Sequence, residues 1–139
     1  MPPHKAMALL DDLRRALSRF QDVLKQPQNE FIRDAAIQRF EFCFELTWKT
    51  IQSIAVLEGQ DCPSPRMAFS TAWRNGWISD EGIFLDMLEE RNRTSHTYKE
   101  STAIAVFENL PEYVPALTNL LHALEKRLDE IIAQENQTS

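Results

Sequence analysis

Glycine occurs only three times in this 139-residue chain, at positions 59, 76 and 82. Turns that need a left-handed backbone are therefore few and the elements between them long, which suits helices and argues against a many-stranded sheet. Cysteine is as sparse: Cys43 and Cys62 have no further cysteines around them, which excludes a disulfide or zinc framework, and Cys43, set between Phe42 and Phe44, reads as a buried thiol. No run of about 18 apolar residues is present to cross a bilayer. Nor do the first eight residues carry the basic region, apolar run and small-residue cleavage site of a secretory leader, so no membrane contact is expected and the expected location is cytoplasmic. Positive charge is in deficit, with 15 Lys and Arg against 21 Asp and Glu and a formal net charge of −6. That excludes a broad electrostatic footprint for nucleic acid and leaves room only for a local basic site. A Gly-rich phosphate loop is missing, and His4 and His122 belong to no metal-ligand constellation, so neither a metal nor any other cofactor is expected.

What is present is the material of one globular domain over residues 1–139, with 43% hydrophobic and 26% charged residues. Leu10, Leu13, Leu17, Phe20 and Leu24 step by three and four, which predicts an amphipathic helix from about Lys5 to Lys25, limited by Pro27. A second helix, about Glu30 to Glu58, carries Ile37, Phe40, Phe44, Trp48, Ile51 and Ala55 on one stripe, while Phe42, Leu46, Ile54 and Leu57 widen it. Such a helix is expected to be covered on two sides, in the middle of a bundle or between the core and a partner chain. Gly59 follows as a C-cap, Ser64 and Pro65 open a short helix running to about Asn75, and Gly76 stops it. Ser79 offers the N-cap of a fourth helix bearing Phe84, Leu85 and Leu88 and reaching into residues 91–96. A short helix from about Thr102 to Asn109 precedes Pro111, and Val114, Leu117, Leu121, Leu124, Leu128 and Ile131 carry a last helix to about Ala133. The expected fold is all-α: an antiparallel four-helix up-and-down bundle with additional short helices.

The densest set of chemical side chains is Arg91-Asn92-Arg93-Thr94-Ser95-His96-Thr97-Tyr98. On an ideal helix Asn92 and His96 share a face, whereas Arg91 and His96 lie about 140° apart. For both to act on one phosphate, the helix must end here or a second copy of the chain must supply one of them. The pair suits RNA cleavage, because imidazole moves protons near neutral pH and guanidinium stabilises phosphoryl charge. The residue types alone also fit a structural reading, in which basic residues complement the C-terminal end of a helix dipole. On the second helix Glu41, Glu45 and Lys49 stand at four-residue spacing; with Arg93 they are candidates to line a cleft beneath the motif, and salt pairing along a solvated face is the simpler account. Trp48, Trp73 and Trp77, set among apolar residues, are expected in core and interface rather than as base-stacking platforms.

Arg91-x4-His96-x-Tyr98, with Asn92 after the arginine, resembles the R-x4-6-H signature of HEPN proteins in its R-x4-H-x-Y form. The segments Arg39 to Lys49, Ser64-Pro65-Arg66 and Leu85 to Tyr98 are similar, in the same order, to the nucleotidyltransferase substrate-binding subunit family of that superfamily. The resemblance implies a helical homodimer whose two motifs face one cleft, and a partner that is a separate minimal nucleotidyltransferase chain. It further implies a metal-independent endoribonuclease of a toxin–antitoxin pair, with RNA as substrate, silenced when the transferase adds AMP to the motif tyrosine. Carried onto this sequence, Arg91 and His96 would be catalytic, Asn92 supporting and Tyr98 the modified residue. The other function the family suggests is a non-catalytic subunit that presents substrate to the transferase.

Overall fold

The computed structural model describes residues 2–138, and their order is α1 (His4–Leu24), α2 (Glu30–Leu57), α3 (Pro65–Arg74), α4 (Glu81–Arg93), a 3₁₀ turn (Thr94–His96), α5 (Glu100–Asn109), a second 3₁₀ turn (Leu110–Glu112) and α6 (Tyr113–Thr138). Helices α1, α2, α4 and α6 make the antiparallel bundle. α2 is its central member, packing against α1, α3, α4, α5 and α6.

The heptad-like spacing decides which faces are inside. Leu10, Leu13, Leu17 and Phe20 of α1 meet Ile37, Phe40, Phe44, Ile51 and Ile54 of α2, Phe84 and Met87 of α4, and Leu117, Leu120, Leu124 and Leu128 of α6 in one core. Burial of each such side chain contributes about 1.5 to 3 kcal/mol before chain entropy is subtracted. Phe40 stacks on Tyr113 at 5.7 Å between ring centroids, and Phe44 meets Phe69 edge-on at 5.8 Å, which ties α2 to both α6 and α3. Both cysteines are fully buried and unpaired; burial pushes the Cys43 thiol up to about 12. On the outer flank of α2, Phe31, Phe42 and Val56 are exposed, while Leu46 and Leu57 are half-buried.

The helix ends follow local chemistry. Asn29 and Ser64 accept from Ile32 N and Met67 N as N-caps, with Pro65 in the first turn. Gly59 and Gly76 take φ of 75° and 76°, which lets Gln60 N and Trp77 N reach back to Ala55 O and Ala72 O and close α2 and α3. Three expectations, on the cap of α4 and the bounds of α5 and α6, are corrected. The cap of α4 is Asp80, whose carboxylate accepts from Ile83 N, not Ser79. Helix α5 begins at Glu100 rather than Thr102, and α6 runs from Tyr113 to Thr138, past Ala133. Trp73 is about half exposed, at 52%, while Trp77 is buried.

Candidate functional site

The site is made where α4 stops. Thr94 Oγ1 donates to Arg91 O at 2.6 Å, Ser95 Oγ to Asn92 O at 2.9 Å and Thr97 Oγ1 to Thr94 O at 2.9 Å. Three hydroxyls thus engage carbonyls at the helix end, and the chain tightens into the 3₁₀ turn Thr94–His96. The hydroxyls that made this segment look chemically rich are occupied with bending it.

Arg91, on the last turn of α4, is held against α2. Its Nη1 lies 2.7 Å from Glu45 Oε1, and its guanidinium carbon sits 4.9 Å from the centroid of the Phe44 ring. Its Nε is buried without a hydrogen-bond partner among the described residues. Glu45 is held in turn: Oε2 accepts from Trp48 Nε1 at 3.0 Å and lies 3.9 Å from Lys49 Nζ. Burial raises the pKa of Glu41, opposed by the charge of Arg91 and by the Thr94 hydroxyl. Glu41, Glu45 and Lys49 therefore form more than an intrahelical stripe; the first two reach the end of α4.

Asn92 on the last turn of α4, His96 in the 3₁₀ turn and Tyr98 beyond it are all exposed, Tyr98 by 78%. The His96 and Tyr98 rings meet edge-on with centroids 6.3 Å apart. A two-turn helical alignment of Tyr98 with Arg91 does not form, because α4 ends at Arg93. A groove of about 500 Å³ opens beside the turn, lined by Thr97 and by Asp34, Gln38 and Glu41 of α2. Arg93 is not among its lining residues: its Nη1 is 3.0 Å from Glu90 Oε2.

Glu90 is the residue that sequence reasoning passed over. It is 3% exposed, and besides Arg93 it accepts from Asn109 Nδ2 and Tyr113 Oη, each at 2.9 Å. Burial, then the bond to Glu90, pushes the Tyr113 hydroxyl far up. The signal was there: Phe84, Met87 and Glu90 step by three along the buried face of α4. Arg33, also buried, reaches Glu100 at 3.6 Å and so links α2 to the start of α5 just after the motif. Among the described residues no cluster of His, Cys, Asp and Glu fits a metal ion, and no helix is long and apolar enough to cross a membrane.

Residues 8–126 match the family model described as nucleotidyltransferase substrate binding protein like. Over 97 residues the chain is 30% identical to a probable ribonuclease HepT of Haemophilus influenzae; the match covers 66% of this chain and 66% of that relative, just under two thirds of its length. A crystal structure from Thermus thermophilus superposes with a TM-score of 0.76 at 34% identity, over 81% of this chain and 98% of that one. The structure of HI0074 from Haemophilus influenzae, reported to reveal the fold of a substrate binding domain of a nucleotidyltransferase, superposes with a TM-score of 0.63 at 26% identity, over 89% and 99%.

Proposed function

The chain belongs to the nucleotidyltransferase substrate binding protein like family, and from that premise we propose that it is a metal-independent endoribonuclease whose cleavage site is Arg91 and His96. The observation that carries this reading is the end of α4 at Arg93. A continuous helix would hold His96 about 140° from Arg91; the 3₁₀ turn releases it while Arg91 stays anchored on the bundle. In the reaction, the ribose 2′-oxygen attacks the adjacent phosphorus and loses its proton, and the 5′-oxygen leaves with a proton. His96 carries one of these transfers, and Arg91 stabilises the charge that develops on the phosphoryl oxygens. Asn92, exposed on the last turn of α4, supports the site. A second copy of the chain brings a second motif to the cleft and supplies the other transfer.

Regulation falls on Tyr98. Its hydroxyl is exposed and its ring lies beside His96, so a separate minimal nucleotidyltransferase chain has access to it. The phenolic oxygen would attack the α-phosphorus of ATP, lose its proton and displace pyrophosphate. The resulting AMP group adds a negative phosphate and a base beside the imidazole, repelling and occluding RNA.

One observation favours a second reading, a non-catalytic subunit that presents substrate to the transferase: Asp34 and Glu41 line the groove, and carboxylates repel RNA phosphates. Expression separates the two. The chain alone should arrest growth, and coexpressed transferase should relieve the arrest with a mass increase of one AMP on Tyr98. Tyr98→Phe should stay toxic in the presence of the transferase. Normal growth on expression of the unmodified chain supports the substrate-presenting reading, and equal silencing of Tyr98→Phe removes the modification.

A further inference from the structure

Both oxygens of the Glu45 carboxylate are engaged, one by Arg91 Nη1 at 2.7 Å and the other by Trp48 Nε1 at 3.0 Å. Trp48 and Lys49 sit on the same helix as Glu45, so this carboxylate is referenced to the central helix of the bundle and not to the motif turn. Arg91 is consequently held at two points, by Glu45 at Nη1 and by the Phe44 ring at 4.9 Å, while its Nε is buried without a hydrogen-bond partner among the described residues. Its Nη2 makes no hydrogen bond to a described residue.

We propose that Glu45 is a positioning residue for Arg91, fixing the guanidinium plane so that Nη2 faces the phosphate to be cleaved. The proposal rests on the ribonuclease reading of the site. An arginine on a helix terminus with 34% of its side chain exposed otherwise samples many rotamers, and ordering it during the reaction costs free energy that pre-organisation removes. A misplacement of about 1 Å at a charge-stabilising group lowers rates by up to about 100-fold. Glu45 also offsets the cost of half-burying the guanidinium next to Phe44, and Lys49, at 3.9 Å, moderates the repulsion that Glu45 would exert on an incoming phosphate.

An ion pair that merely joined α2 to α4 would affect stability and leave turnover alone, so the test reads turnover. Glu45→Ala should lower kcat for RNA cleavage about 10- to 100-fold with KM changed less than about threefold. In an Arg91→Ala background the same substitution should change the remaining rate less than about twofold, since the group it positions is gone. Glu45→Gln keeps an oxygen for Nη1 but sets an amide against the indole N–H, and should fall between wild type and Glu45→Ala. Trp48→Phe, which removes only the second anchor, should lower kcat by less than Glu45→Ala. Unchanged kcat in Glu45→Ala, or a loss that adds in full to that of Arg91→Ala, overturns the proposal. Nitrogen-15 NMR of the Arg91 side chain reads the same claim without RNA: rotation about the Cζ–Nη bonds should be hindered in wild type and free in Glu45→Ala. A guanidinium already rotating freely in wild type overturns the positioning role. A wild-type protein that cleaves no RNA but holds Arg91 rigid sinks the ribonuclease reading and leaves the positioning of Arg91 standing.

Discussion

Glu41 shows how the site balances charge against burial at the level of one residue. Burial raises its pKa, against the pull of Arg91 and Thr94. A carboxyl with a higher pKa in the folded state holds its proton more tightly there than in the unfolded chain. Its contribution therefore favours the fold at acid pH and is lost as pH rises through the folded value. Glu41→Gln, which carries no charge to desolvate, should be slightly more stable than wild type at pH 7, within about 0.5 kcal/mol, and the difference should vanish near pH 4. Thermal melts of the two proteins at both pH values check this; a variant less stable at pH 7 would show that the Arg91 interaction outweighs burial. Arg91, Asn92, His96 and Tyr98 stand out in the sequence by type and spacing, but their disposition was not legible there. Thr94, Ser95 and Thr97 counted only as part of a dense set of chemical side chains, and the geometry reveals that each donates to a carbonyl.

Among the elements, α4 matters most, since it delivers Arg91. Its C-terminal half is fixed by buried Glu90, which draws Asn109 and Tyr113 onto one carboxylate oxygen and Arg93 onto the other. Glu90→Ala would leave the Tyr113 hydroxyl and the Asn109 amide without their partner and open a cavity. The expected loss is about 2 to 4 kcal/mol, read as a lower midpoint in urea; Glu90→Gln, which keeps one acceptor, should lose less. A loss below about 0.5 kcal/mol for Glu90→Ala would mean that the network does not hold α4. Helices α1, α2 and α6 were legible because three- and four-residue apolar steps are strong over long segments, whereas the short helices between them were read from caps, Gly76 and Pro111. Boundaries were weaker. Ser79 and Asp80 are both good caps, and sequence cannot choose between neighbours that bond the same donors. Helix α6 outruns its apolar stripe because residues 134–138 are polar but contain no Gly or Pro to stop them.

For the molecule as a whole, the negative net charge and the rigid bundle set the terms. With 21 acidic residues against 15 basic, RNA would gain little from long-range attraction, so the proposed cleavage rests on a local constellation at the end of α4. The same bundle leaves Phe31 and Phe42 exposed along α2, which accords with a second chain completing the cleft. The four-helix architecture could be read from periodicity, but the pairing of α2 with the end of α4 could not. Glu45 and Arg91 are 46 residues apart, and no local pattern joins them. The most direct test of the account is cleavage of a labelled single-stranded RNA by the purified protein in excess chelator, comparing wild type with His96→Ala. The account predicts undiminished wild-type cleavage, products ending in 2′,3′-cyclic phosphate and 5′-hydroxyl, and a loss of about 10²- to 10⁴-fold in His96→Ala at unchanged helical content. Cleavage that disappears with chelation, or that survives intact in His96→Ala, would contradict it.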